Sequence, residues 1–302
     1  MTPDAAAGSA AACLGGCLAA DSPLDEAVLA SIAHQAAARN QPRSKKLTIV
    51  SGFADISLLQ LLLVATMALF ASIIGGLAGY GTGALMPLVL VPLVGAEPVV
   101  PIIAISAMFT NLSRAIAYLR YADRRRALIV LACAGLTTAL GAYGYTRLTS
   151  AGAALVIGTM LILSVPLRRV LRRRSVRIGD SGLAAGSVGY GVLVGGTSGS
   201  GVILLSLLMA TGLEGAAVIA TDAMISLGTG LIKISVFGLA GAVTAQVLAF
   251  ALLIGGMAVP GAFLAKAFVE RMPVHIHTAI LDVAVITGGL VMISAAARQL
   301  IA

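Results

Sequence analysis

Two glycine-rich interruptions inside apolar sequence constrain this chain more than any other feature: Gly79–Gly83, GYGTG, and Gly195–Gly201, GGTSGSG. Inside a bilayer an unpaired backbone N–H or C=O costs several kcal/mol unless protein or water satisfies it, so a break there is tolerated only around a cavity. Each interruption follows a segment long enough to cross a bilayer and precedes an apolar run too short to do so, 84–94 and then 202–211. Each short run meets an acidic residue, Glu97 or Glu214, which opens another long apolar segment and places a negative charge on the positive end of its helix dipole. The recurrence reads as an internal repeat.

That the surroundings are a bilayer follows from composition. Hydrophobic residues make up 59% of the 302, charged residues 11%, and mean hydropathy is +1.03, values that exclude an ordinary soluble domain. About 20 apolar residues are needed per helical span. Segments of that order occur at 56–78, 98–119, 127–145 and 151–170, then at 181–194, 214–236, 243–265 and 276–297. The expected fold is an all-α membrane protein of about eight spanning helices in two repeated halves, 51–177 and 178–302, each with a glycine break and a short helical segment, after a mobile tail over 1–50.

The formal charge of +8 would suggest nucleic acid in a soluble protein, but here the arginines sit between apolar segments and report orientation instead. Arg120, Arg124, Arg125 and Arg126 form one basic loop; Arg168, Arg169, Arg172, Arg173, Arg174 and Arg177 form the next. Both belong on the cytoplasmic side. If the short segments dip in and return, the basic tail joins them there, the arrangement the charge count favours. If the short segments cross fully, the tail moves outside and the halves are inverted, as transporter halves often are. Cys13, Cys17 and Cys133 form no paired framework or zinc spacing, so no metal, disulfide or cofactor is expected.

A half-helix beginning at a break can aim its unpaired N–H groups at an anion near the midplane. Thr82, Ser198 and Ser200 add hydroxyls beside the glycines; close helix packing is the alternative reason for those glycines. On the segment from Pro98, Asn111 and Arg114 share a face. An arginine at a helix centre costs about 2.5–3.5 kcal/mol by insertion scales, and snorkelling to the nearby loop is the competing explanation. Asp222, Ser226, Thr229 and Lys233 follow steps of four, three and four and form one polar stripe. Asp222 is a candidate proton carrier or a structural hydrogen-bond partner, and Lys233 a substrate ligand or a snorkelling residue.

The stretches 75–121 and 195–238, with GAEPVVPIIAISAMFTNLSRAIAYLRY in the first copy and GLEGAAVIATDAMISLGTGLIKISVFG in the second, resemble the TauE/SafE sulfite exporter family of bacterial membrane transporters. The resemblance implies a multi-pass inner-membrane protein that moves a small sulfur-containing or organic anion, with proton coupling an option. It carries over Gly79, Gly81, Gly83, Gly199 and Gly201 as break positions and Asn111 as the polar position of the first long helix. Together with the residue-based reading, the candidate substrate ligands are Gly79, Gly81, Thr82, Gly83, Asn111, Arg114, Ser198, Gly199, Ser200, Gly201, Thr229 and Lys233. Tyr80 and Thr82 interrupt the first glycine run, and Arg114 and Lys233 align only at an offset that differs from that of Glu97 and Glu214.

The expected partners are a small anion and the lipid bilayer, without nucleic acid, and a homo-oligomer remains open. A passive anion channel would use the same breaks. The tetrapeptide GTSG at Gly196–Gly199 also matches the GxSG of rhomboid proteases, but His34, His275 and His277 lie in the tail and at a loop, leaving Ser198 without an evident base.

Overall fold

The computed structural model describes residues 53, 56–78, 81–173, 177–269 and 274–301; the expected tail and Gly79 lie outside them. Among the described residues there are ten α-helices: α1 Leu58–Ala78, α2 Gly81–Val94, α3 Val99–Tyr118, α4 Arg124–Tyr145, α5 Ser150–Arg173, α6 Asp180–Gly196, α7 Gly201–Ala210, α8 Ala216–Leu239, α9 Ala245–Val269 and α10 Val274–Ile301. All fall in one packed unit, Thr48–Ala302. The glycine breaks separate α1 from α2 and α6 from α7, where the sequence placed them.

Local chemistry fixes the helix starts. Ser57 and Gln60 satisfy each other's backbone N–H groups at the head of α1, at 3.0 and 3.3 Å, a reciprocal capping box. Asp123 caps α4 by accepting from the N–H of Arg126 at 3.0 Å. Four helical stretches, 99–121, 124–145, 150–167 and 216–239, are long and apolar enough to cross a membrane. Large apolar side chains point outward, among them Leu59 at 77% and Leu136 at 72% exposure, as a lipid-facing surface requires.

Cross-helix contacts give each helix a direction. The starts of α4 and α6 are joined by Arg125 and Asp180 at 2.7 Å, and further on Gly191 meets Ala134 and Gly195 meets Ala142, so the two run parallel. Helix α7 then turns back. Ala210, at its end, accepts from the N–H of Ile178, just before α6, at 2.9 Å. Helix α8 runs with α4, from the Asp123–Thr221 hydrogen bond to the ring contact of Tyr145 with Phe237. Helix α3 opposes α8, with Arg114 beside Asp222 and Met108 beside Gly230.

The bundle therefore has a basic end, where α4, α6 and α8 begin, and a far end where α4 and α8 finish. Phe53 stacks edge-on against Phe250 of α9, and Ser72 Oγ donates to Ala258 O at 2.6 Å, so α1 runs parallel to α9 and starts at the far end. The α2 side returns to that end, where Tyr145 Oη donates to Ala96 O at 2.7 Å. Thus α1–α2 is a hairpin entered from the far end and α6–α7 a hairpin entered from the basic end. This departs from the charge-count expectation, which put the start of the first segment at the basic end. The reason is that α2 turns back along α1, so the pair makes no net crossing.

The neighbours also pair up. Helix α1 packs on α9 as α6 packs on α4, α3 packs on α8, α5 on α10, and α3 meets α9 as α8 meets α4. Exchanging the first five helices for the last five maps these neighbours onto each other.

Candidate anion site

The two hairpin tips meet inside the bundle. A methyl group at Gly83 would lie 3.1 Å from the backbone nitrogen of Gly199, so the breaks are in backbone contact. Gly199 has φ +81°, a left-handed conformation that a side chain would strain, and this turn lets the chain leave α6 and start α7.

Beside the tips lies a cavity of about 150 Å³. That is well below the roughly 300–1,000 Å³ of a drug-sized ligand pocket, the scale of a small anion. Its walls include Thr82 and Gly83 from the first break, Asn111 and Arg114 from α3, Ser198, Gly199, Ser200 and Gly201 from the second break, and Thr229 and Lys233 from α8. Ten of the twelve substrate ligands expected from sequence therefore line one space. Gly81 opens α2, and Gly79 lies outside the described residues. Asp222 does not line the cavity; it stands behind Arg114.

Three features give the space its chemistry. First, the N-terminal ends of α2 and α7 reach it through Thr82, Gly83, Ser200 and Gly201, bringing the positive ends of two helix dipoles. Second, Lys233 is 6% exposed, and among the described residues its one hydrogen-bond partner is Thr197 O at 3.4 Å. An ammonium has three donors, and a buried charge without a counter-ion is strongly disfavoured, so Lys233 is short of acceptors and of negative charge. Third, Ser198 Oγ is buried without a partner.

Arg114 is better supplied. Its Nη2 donates to Asp222 Oδ2 at 2.8 Å and its Nη1 to Asn111 Oδ1 at 3.3 Å, while Nε is buried and unpaired. The pairing rules out simple snorkelling, since the guanidinium turns inward to α8. It also cancels the charge of Arg114, leaving Lys233 as the net positive charge on the cavity. Thr229 Oγ1 bonds back to Ile225 O at 3.0 Å, so its contribution to the wall is modest.

Sequence reasoning passed over Thr197, Tyr190 and Ser72, all of which line the cavity. Tyr190 and Thr197 stand seven residues apart on α6, two turns along one face, and that spacing ahead of the break was the available signal. Among the described residues no cluster of potential metal ligands occurs.

Neither a curated protein nor a solved structure matches the chain. A family model does, that of the sulfite exporter TauE/SafE, over residues 64–292, which takes in both breaks, both hairpins and every described residue of the cavity. With apolar helices of spanning length around a buried electropositive cavity, the match establishes that this chain belongs to the TauE/SafE sulfite exporter family of membrane transport proteins.

Proposed function

We propose that the chain is a secondary transporter that binds a small sulfur oxyanion, of the sulfite or thiosulfate class, between the two hairpin tips and alternates access around it. The observation that carries this is the convergence of Lys233, two helix N-termini and the unpaired Ser198 hydroxyl on a cavity with no acidic residue among the described ones that line it. A bound oxyanion supplies what each group lacks: acceptors for the ammonium and hydroxyl, and negative charge for the dipoles.

In this reading α3, α4, α5, α8, α9 and α10 cross the membrane, and the two hairpins enter from opposite faces in place of two further pairs of spans. Each half is then one hairpin followed by three crossings, an odd number, so the repeats are inverted. The matching neighbours of the first and last five helices support that relation. The basic end faces the cytoplasm of a bacterial inner membrane. Proton coupling through Asp222 requires its pair with Arg114 to open.

The test is counterflow in proteoliposomes, with sulfite loaded inside and labelled sulfite supplied outside. Saturable uptake in which thiosulfate competes and acetate does not is the expected result. Flux that is non-saturable and shows no counterflow would replace the carrier with a passive channel, and no flux from folded protein would remove sulfur oxyanions as substrates.

A further inference from the structure

We propose that Asp222 acts as a built-in competitor for Arg114, so that Arg114 is the release station and inner gate of the cavity while Lys233 is its holding station. The inference rests on the anion-transport reading above and deepens it.

The two cations are placed at different depths. Asp222 and Lys233 are eleven residues apart on α8, about 16 Å along an ideal helix, and Arg114 sits at the level of Asp222. Helix α8 runs from the basic end to the far end, so Lys233 lies toward the far end. On α3 and α8 the lining residues nearest the basic end are Arg114 and Ser226, and Asp222 lies one turn beyond Ser226. An anion leaving toward the basic end therefore meets the Arg114–Asp222 bridge, which ties α3 to α8.

The bridge is incompletely made. A guanidinium and a carboxylate prefer two parallel hydrogen bonds, yet here Nη2 alone reaches Asp222, and Nε is buried with no partner. Arg114, 18% exposed at its side chain against 3% for Asp222, is the member that faces the cavity. An oxyanion arriving from Lys233 meets the cavity-facing guanidinium, and a turn of that side chain brings the unpaired Nε to it as Asp222 lets go of Nη2. Exchange of one carboxylate for one oxyanion keeps the arginine compensated throughout.

Charge then sets the order of events. At Lys233 the wall is net positive and the anion is held; at Arg114 the carboxylate has already cancelled the charge, so the anion arrives, opens the bridge and is not retained. Without the Asp222 charge, Arg114 would become a second trap.

Sulfite and thiosulfate binding by calorimetry, together with counterflow, tests this on the full chain in three forms: wild type, Asp222→Asn, and Arg114→Gln with Asp222→Asn. Freeing Arg114 in Asp222→Asn should lower Kd by about tenfold or more and slow exchange. The double variant leaves no unpaired charge at the bridge, so it guards against a misfolded single variant. It should bind within about threefold of wild type through Lys233 while exchange stays slow, because nothing draws the anion off the holding station. Tighter binding by itself would follow from the lost negative charge; slow exchange by the double variant, whose affinity is near that of wild type, is what a merely structural bridge would not give. Unchanged or weaker binding by folded Asp222→Asn overturns the proposal, as does wild-type exchange by the double variant. If wild type binds neither anion, the transport reading falls with it; if wild type binds and the variants match it, only the gate falls.

Discussion

The two hairpins are built to one plan and held in place by different means. The second, α6–α7, lies against α4 along a seam of glycines: a methyl group at Gly191 would come 2.6 Å from Ala134 O, one at Gly195 would come 2.8 Å from Ala142 N, and one at Gly141 would come 3.1 Å from Gly196 N. Backbone touches backbone there, so the hairpin has little room to shift. Among the described residues the first, α1–α2, meets α9 through the Ser72–Ala258 hydrogen bond and Gly261, and it carries Pro87 and Pro92 in its return helix. Leu58, Leu59 and Leu62 on its outer face are more than half exposed. The second hairpin also carries most of the polar wall, in Tyr190, Thr197, Ser198 and Ser200, whereas the first contributes Ser72 and Thr82. The second hairpin thus brings the larger share of the described hydroxyls to the holding site.

The largest expected effect breaks that seating. Gly195→Val should splay α6 from α4 and lower stability by about 1–3 kcal/mol, toward the upper end because the atoms met are backbone and cannot turn away. Gly189→Ala on the same helix meets nothing within 4 Å and should leave stability unchanged or slightly raised. Thermal unfolding in detergent checks both. Equal melting points for the two variants would remove the seam as the difference between the hairpins.

Next comes the charge that the second hairpin partners. Lys233→Met should weaken sulfite binding by about a hundredfold, in line with the 2–5 kcal/mol lost when one member of a buried charge pair is truncated. The same change should hold or raise stability, because it removes a buried cation whose one partner is a carbonyl at 3.4 Å. Opposite signs in calorimetry and in thermal unfolding are the signature. Loss of both would make Lys233 a structural residue.

How much of this was legible in the sequence depends on which groups leave a mark there. Long apolar runs placed α3, α4, α5 and α8 within a few residues, and the helical spacing of Asn111 with Arg114, and of Asp222 through Lys233, put the right side chains on facing stripes. Hydropathy carries no direction, however, and a helix that enters and returns has the same composition as one that crosses. The start of α1 was therefore read from charge counts in a tail and not from Phe53 meeting Phe250. The Arg114–Asp222 bridge joins positions 108 residues apart, and nothing local to either names the other. The acceptor for Lys233 is a backbone carbonyl, present at every residue and freed at Thr197 because the chain turns extended there, at φ −138° and ψ 177°. The glycines of the seam were visible; their partners on α4 were not.

The smallest expected effect sharpens the comparison at the level of single hydroxyls. Ser198 Oγ is buried at the second tip with no protein partner, so Ser198→Ala removes an unsatisfied group and should leave the melting point unchanged or slightly higher. If that hydroxyl donates to the anion, the same variant should bind sulfite about threefold to tenfold more weakly, the range of one hydrogen bond worth about 0.5–1.5 kcal/mol. Thr82→Val at the first tip keeps the shape and deletes the corresponding hydroxyl. Because Thr82 is the one hydroxyl that the described residues of the first break bring to the cavity and Ser198 is one of three on the second, their relative losses measure how the anion is shared between the hairpins. A larger loss at Ser198 than at Thr82 is expected from an anion seated beside Lys233 and Thr197. Equal losses would centre the anion on the contact between Gly83 and Gly199, and a larger loss at Thr82 would move the holding station to the first hairpin and away from Lys233.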